Sequence, residues 1–389
     1  MKRIAVFIGT RPEAIKMAPV IAALRRAEGL TPVVISTGQH REMIDQVIKL
    51  FGIEIDAELA AMEPNQTLAG LTSRLVERID VALAELMPDF TLVQGDTTTV
   101  LCAALASFYR RIPIGHVEAG LRTGNLASPF PEETNRRLTS PLVDLHFAPT
   151  ETARKALLRE GVREDRVLVT GNTVIDALLM ELARQQKADV QSVINAHFTT
   201  LIGPDWRKRP MVLVTGHRRE NFGDGFEQIC RALDQLATRR PELRIVYPVH
   251  LNPRVKEVVH ARLGSRDNIR LIPPQSYAEF VALAAACRII LTDSGGVQEE
   301  APTLGKPVLV MRDTTERPEG VTADAVMLVG TQAERILHEA ERLLTDSAAY
   351  DRMAQAANPY GDGQAAQRIA ERVRKNFEQS EPLVRSSRK

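Results

Sequence analysis

Short runs of β-branched and aliphatic residues alternate along this chain with longer stretches whose apolar positions recur every three or four residues. In the first half the runs predict strands over 4–8, 33–36, 91–93, 112–117, 145–148 and 167–169. In the second half they predict strands over 212–215, 244–249, 270–272, 289–291, 308–310 and 326–329. The clearest amphipathic stretch runs from Thr67 to Met87, with Leu68, Leu71, Leu75, Ile79, Leu83 and Leu86 on one face and Pro88 stopping it. Those leucines are core positions and need no ligand to explain them. Strand–helix alternation of this kind belongs to parallel sheets covered by helices. The expected fold is α/β, with two doubly wound Rossmann-like domains facing each other across a cleft.

The join between the halves is expected after the segment Gly171–Asp176. That gives an N-terminal domain over 1–173 and a C-terminal domain over 174–362. A helix over about 363–378 packs back on the first domain, and 379–389 form a charged, mobile tail. The segment from Gln185 to Arg209 is polar and weakly patterned, and Pro210 introduces the next strand.

Composition narrows the function. The 389 residues are 44% hydrophobic and 25% charged, which is ordinary for a globular chain. A formal net charge of +1 offers no global field for nucleic acid or an anionic membrane, so anions must be bound by local arrangements. Cys102, Cys230 and Cys287 lie far apart in apolar contexts and without metal-ligand spacing. They read as small buried hydrophobes in a reducing cytosol. The apolar run at the amino terminus is too short for a signal segment and reads as the first strand, and no segment is long enough to span a bilayer.

The polar residues fall where strands end. Arg11 follows the first strand, Gln39-His40 the second, Gln94-Gly95-Asp96 the third and Glu118 the fourth. In the second half His217-Arg218 follow the first strand, His250 the second and Asp293-Ser294-Gly295-Gly296 the fourth. Ligands of open α/β sheets sit at that edge. One terminal Asp is a helix cap, but a set repeated in both halves is harder to attribute to capping.

Individual motifs sharpen this. Ser294-Gly295-Gly296 at a helix start lets backbone N–H groups approach a phosphate, and Glu300, about a turn further in, is placed to accept from ribose hydroxyls. Gly9-Thr10-Arg11-Pro12-Glu13 has one glycine and is not a dinucleotide fingerprint. Pro12 suits the first helical position, which leaves Arg11 at the junction for a diphosphate oxygen. Lys16, a turn in, is more often a solvated helix residue than a ligand. Two readings stand for Glu118: a partner of Arg122 capping the next turn, or an acid/base group. Asp96 and Glu132 are further acids without metal-ligand spacing, and different burial would separate their roles. Asn135, Arg136 and Arg137 are placed to hold them. His217, beside cations at a strand end, is poised to act on an anion.

Taken in order, these motifs resemble the non-hydrolysing UDP-N-acetylglucosamine 2-epimerase family. They are Gly9–Glu13, Gln94–Thr97, His116–Arg122, Pro131–Arg136, Thr215–Asn221 and Asp293–Glu300, and the likeness runs from about residue 3 to about 375. The resemblance implies a glycosyltransferase-B-like architecture and reversible conversion of UDP-GlcNAc to UDP-ManNAc. The implied route expels UDP to leave 2-acetamidoglucal and adds it back. Carried over by position, Asp96, Glu118, Glu132 and His217 are catalytic. Arg11, Lys16, Gln275, Phe280, Ser294, Gly295, Gly296, Glu300 and Arg317 contact UDP. No cofactor or metal is implied, and a cytoplasmic homodimer serving polysaccharide biosynthesis is the family expectation.

Bacterial members are often activated by a second UDP-GlcNAc, with local patterns Gln-His-Arg-Gln and Arg-Gln-Thr. This chain has Gln39-His40-Arg41-Glu42 and Asn65-Gln66-Thr67, and retains Gln39, Arg218 and His250 for such a site. Three rivals share parts of this pattern. A glycosyltransferase would use the same UDP site but needs an acceptor. A related 2-epimerase would take a modified UDP-GlcNAc derivative. A UDP-sugar sensor would need Glu300 and the phosphate cradle but not the three acids.

Overall fold

The computed structural model describes residues 1–38, 41–63 and 65–380. The chain divides into two compact units, 1–177 together with 360–389, and 178–359.

The first unit is built on a seven-stranded parallel sheet. Its strands are β1 Lys2–Ile8, β2 Leu30–Ser36, β3 Ala57–Glu58, β4 Phe90–Gln94, β5 Ile114–Val117, β6 Leu145–Ala148 and β7 Val167–Val169, in the order β3-β2-β1-β4-β5-β6-β7. The second is built on a six-stranded parallel sheet. It contains β8 Met211–Thr215, β9 Arg244–Pro248, β10 Ile269–Ile272, β11 Ile289–Thr292, β12 Val308–Val310 and β13 Val326–Leu328, in the order β10-β9-β8-β11-β12-β13. Both are doubly wound, with helices on each face. The near-continuous apolar character of the strands follows, because both faces are covered. Ile4 to Ile8 and Val212 to Val214 are at most 2% exposed.

Each sheet reverses its strand order at one place, between β1 and β4 and between β8 and β11. The crevice outside the carboxyl ends of such a pair is the ligand position of an open α/β sheet. It selects the loops 9–11 and 95–97 in one unit and 216–218 and 293–296 in the other.

Two features depart from the sequence reading. β3 was not expected, since two residues paired at Ile35↔Ala57 and Ser36↔Glu58 leave no periodic signal. The segment expected to be weakly patterned contains a helix, Ala188–Leu201, whose inward face is just Ile194 and Phe198 with Val190 and Leu201 beside them. So narrow a stripe is hard to tell from a polar linker. The helix Leu68–Leu86 forms as expected, capped by the Thr67 hydroxyl and closed by Met87 in the left-handed region. Leu71, Leu75, Ile79 and Leu83 are buried, but Leu68 is 46% exposed and lies outside the core.

The helix Ala365–Ser380 lies in the first unit. Asp176 accepts from the Ala365 and Ala366 N–H groups at its start, and Phe377 packs edge-on against Phe90. Cys102, Cys230 and Cys287 are buried free thiols, each pushed up to about 12 by burial. Among the described residues no helix is long and apolar enough to cross a membrane, and no group of His, Cys, Asp or Glu has the arrangement of a metal site.

Candidate active site

In the first unit the loops at the reversal point are tied to one another. The helix Arg11–Arg26 is capped by Thr10, whose hydroxyl accepts from the Glu13 N–H. Glu13 reaches back to accept from the N–H groups of Gly9 and Thr10, both at 2.7 Å. The helix thus begins at Arg11 and Pro12 is its second residue, one position later than the sequence suggested. The other Glu13 oxygen accepts from the Thr97 hydroxyl at 2.6 Å, which joins the loop after β1 to the loop after β4. Burial pushes the Glu13 carboxyl up to about 7, against the hydrogen bonds from Thr97, Gly9 and Thr10.

Glu118 directly follows β5 and lies in the left-handed region, with φ +63°. A non-glycine residue held there costs about 1–3 kcal/mol and persists when its surroundings fix it. Lys16 donates to both carboxylate oxygens at 2.7 Å and Gln94 donates its amide to one of them. The Glu118 side chain is 5% exposed. The alternative partner, Arg122, instead donates to Glu160 and to the Ser140 hydroxyl. Arg122 therefore braces the outer part of this loop and Glu118 belongs to the inner set.

Asp96 follows β4, the neighbour of β5, and accepts from Arg136 Nε at 2.9 Å and Nη2 at 2.6 Å. Asn135 donates to the Asp96 carbonyl at 2.9 Å. Arg136 is in turn held by Glu133, a fully buried carboxylate that also accepts from the Thr123 and Gly124 N–H groups. Burial opposes the Glu133 charge, but these donors outweigh it and hold its carboxyl below the ordinary range. Arg137 sits 3.5 Å from the same group. Glu132, the first residue of the helix Glu132–Thr139, is half-buried, and among the described residues its carboxylate has no hydrogen bond or ion pair. Asp96 and Glu118 follow neighbouring strands and Glu132 starts the helix whose Asn135 and Arg136 hold Asp96, so the three acids stand in three electrostatic settings: paired with a guanidinium, paired with an ammonium, and, among the described residues, unpartnered.

Gly120, two residues past Glu118, fixes the course of this loop. A Cβ added there would meet the Ala153 carbonyl oxygen at 2.3 Å, and φ is +93°. Gly120→Ala is expected to destabilise the protein by about 3 kcal/mol, read from urea unfolding. An unchanged midpoint would mean that the loop has room to relax.

In the second unit Asp293, fully buried at the end of β11, organises the loop after β8. Its Oδ2 accepts from the His217 and Arg218 N–H groups, both at 2.8 Å, and from Asn221 at 3.3 Å. Its Oδ1 lies 3.3 Å from His217 Nδ1. Burial works against the Asp293 charge, but the contacts from His217 and Arg218 prevail and hold its carboxyl below the ordinary range. The His217 ring is stacked 5.4 Å from that of His250, and burial together with this neighbour pushes the His250 imidazole down.

Ser294 occupies the N-cap position of the short helix Gly295–Glu300 without a side-chain capping hydrogen bond. A Cβ at Gly295 would lie 3.9 Å from Arg218 Nη2 and 4.0 Å from Arg317 Cζ, so two guanidiniums flank the first glycine. Nothing lies within 4 Å of a Cβ at Gly296. Open space, small residues and two cations suit a diphosphate. Arg317 is steadied by Glu299, whose carbonyl accepts from Asn358 at 3.0 Å. Arg312 bridges Glu220 and Glu316 beneath the loop. Burial opposes the Glu316 charge, yet Arg312 holds that carboxyl down at about 2. Glu300 accepts from the Tyr277 hydroxyl at 2.7 Å, Gln275 pairs with His197 at 2.9 Å, and Phe280 lies half-buried against the core of this unit.

The comparisons with known proteins converge with this geometry. The family model described as UDP-N-acetylglucosamine 2-epimerase matches residues 22–374. The chain belongs to this family. The Escherichia coli K12 UDP-N-acetylglucosamine 2-epimerase is 56% identical over 377 residues, covering 97% of this chain and 99% of the relative. The crystal structure of the Neisseria meningitidis UDP-GlcNAc 2-epimerase bound to UDP-GlcNAc is 48% identical, with TM-score 0.89 over 97% of this chain and 100% of that one. The Methanocaldococcus jannaschii UDP-GlcNAc 2-epimerase in complex with UDP-GlcNAc and UDP is 33% identical, with TM-score 0.80 over 96% and 99%.

Within this epimerase family member, Asp96, Glu118, Glu132, Arg11 and Lys16 lie in the first unit. His217, Gln275, Phe280, Ser294, Gly295, Gly296, Glu300 and Arg317 lie in the second. Of the residues expected at an activating site, Arg218 and His250 flank His217, and Gln39 lies outside the described residues. Sequence reasoning did not single out Glu13, Thr97, Tyr277 or the partners of Arg317. Glu13 had a signal, three residues after a capping Thr10; Tyr277 had none, since a helix-start tyrosine reads as core.

Proposed function

We propose that the chain interconverts UDP-N-acetylglucosamine and UDP-N-acetylmannosamine by eliminating and re-adding UDP. The C2 proton of the sugar lies beside no carbonyl, so its direct removal and return on the other face is unfavourable. Elimination avoids this. A base takes the C2 proton, the C1–O bond breaks with its electron pair leaving on the β-phosphate, and a C1=C2 double bond forms. The reverse addition delivers a proton to the opposite face of C2 while the phosphate oxygen re-attacks C1. No electron leaves the substrate, so the sequence is redox-neutral.

Family membership supports this reading, and one structural observation carries it: acids at the ends of the neighbouring strands β4 and β5 and at the start of the helix that holds Asp96, in different settings. Asp96, Glu118 and Glu132 are the acid/base groups. Arg11, Lys16, Ser294, Gly295, Gly296 and Arg317 serve the diphosphate, Gln275 and Phe280 the uracil, and Glu300 the ribose. His217, oriented by Asp293, acts at the departing phosphate. Preorganised donors there supply a large part of the rate. Arg218 and His250 are the described candidates for an activating site in the same reading. A cytosolic homodimer is also part of it; Val81 and Phe108, on the helices Leu68–Leu86 and Thr98–Tyr109, are 56% and 54% exposed and give an apolar surface for it.

The test is proton NMR of the protein with UDP-GlcNAc in deuterated water, without NAD or acceptor. The proposal expects UDP-ManNAc with deuterium at C2. Accumulation of free ManNAc would indicate a hydrolysing enzyme, and no change would shift the reading to a modified UDP-sugar or a transferase.

A further inference from the structure

At the amino-terminal edge of the second sheet, opposite the edge that carries His217 and Gly295, lies a cavity of about 530 Å³. Its walls come from the starts of β8 and β9 and from the segments ahead of β11 and β12, with Leu344 and Tyr350 beside them. Arg207, Lys208, Arg209, Arg240, Arg288 and Lys306 line it, against the single lining carboxylate of Glu242.

Those cations are mostly uncompensated. Arg240 pairs with Glu242, and Arg209 with Asp205 at 3.1 Å. Arg207 lies over the Trp206 ring and Arg288 over the Tyr350 ring, at 4.2 and 3.3 Å from the centroids. Among the described residues Arg207, Lys208, Arg288 and Lys306 have no carboxylate within ion-pair distance. Arg207 donates from Nε to the Asn195 side chain at 3.1 Å, and burial still pushes its guanidinium below the ordinary range.

Helix ends offer a simpler explanation for basic residues here. The helices Asp224–Arg239, Tyr277–Ala286 and Ala333–Thr345 end at this edge. Each carboxyl terminus carries roughly half a negative charge, so the three together offset about one and a half positive charges. Asp205 removes one more. An excess of two to three positive charges remains in a concave site, in a chain whose formal net charge is +1. Such an excess raises local anion concentration and costs self-repulsion until an anion enters.

We infer that this cavity binds a soluble polyphosphate, an anion carrying two or more linked phosphate groups. Convergence of the cations from separate segments onto one hollow suits a compact polyanion, whereas an extended nucleic acid would need a stripe. The volume lies within the usual range for small-ligand sites, about 300–1,000 Å³. Met211, Leu243, Leu344 and Tyr350 add an apolar wall that a nucleoside polyphosphate would use and an inorganic one would not.

Calorimetric titration of the full chain with inorganic tripolyphosphate tests this. Binding is expected to weaken about ten-fold or more in Lys208→Ala/Lys306→Ala and in Arg288→Ala, and to persist in Arg317→Ala, which alters the opposite edge. Parallel titration with adenosine triphosphate separates the two sources. Tighter binding assigns a nucleotide, and equal or weaker binding assigns inorganic polyphosphate. Absence of tripolyphosphate binding, undiminished binding in both cavity variants, or loss confined to Arg317→Ala would overturn the inference.

Discussion

Asp96→Asn and Glu118→Gln are each expected to lower turnover by about 10²–10⁴-fold while leaving UDP affinity within a few-fold of the parent. Both replacements keep the shape of the side chain and remove its ability to take or give a proton as an acid. Glu118 is held by Lys16 and Gln94, and Asp96 by Arg136, so each carboxylate is fixed in place before substrate arrives. The two changes differ in what they leave behind. Glu118→Gln weakens both charge-assisted contacts from Lys16 at a side chain that is 5% exposed, whereas Arg136 keeps Glu133 when Asp96 is replaced. Glu118→Gln should therefore also lower stability measurably, and Asp96→Asn less so. Turnover by NMR and UDP affinity by calorimetry check the pair; a large loss of UDP affinity in both would count against acid/base roles.

The second large effect is a pH dependence of stability with two opposing parts. His116 and His146 are neighbours on β5 and β6, each 1% exposed. Burial pushes His116 down to about 4 and His146 to about 3, the latter aided by His116, Arg122 and Arg166. The folded chain then binds fewer protons than the unfolded one below the ordinary histidine value. The stability tied to these groups is present above pH 6.5 and is lost as pH falls, by about 2 kcal/mol for each between pH 7 and 5. Glu13 acts the other way. Its folded value of about 7 exceeds the ordinary 4.5, so the folded chain holds a proton that the unfolded one has released. Stability tied to Glu13 is present at low pH and is lost as pH rises toward and through 7, again by about 2 kcal/mol between pH 5 and 7. Relative to the parent, His146→Leu should gain about 2 kcal/mol on going from pH 7 to 5, and Glu13→Gln should lose about as much. Urea unfolding at both pH values measures this. Parallel pH profiles for parent and variants would show that neither group titrates as argued.

Much of this was legible before the fold was known, for identifiable reasons. Parallel strands buried on both faces leave unbroken apolar runs, so twelve strands could be read directly, whereas β3 pairs through two residues and leaves none. Strand-end chemistry was also legible, because Arg11, Asp96, Glu118, His217 and Ser294 each follow a strand closely in sequence. Pairings were not. Lys16 and Glu118 are separated by 102 positions, and Asp293 and His217 by 76, and nothing local announces either contact. Glu118 was half legible: its place was clear, but a cap paired with Arg122, four residues on, stood level with an acid/base group, and Arg122 in fact pairs with Glu160 while Lys16 holds Glu118.

Epimerisation by elimination requires the C1–O bond to break and re-form. Positional isotope exchange reads it most directly, using UDP-GlcNAc labelled with oxygen-18 in the bridge between C1 and the β-phosphorus. Label is expected to spread into the non-bridging β-phosphate oxygens in UDP-GlcNAc recovered as UDP-ManNAc forms. Epimerised product with all of its label still in the bridge would contradict it.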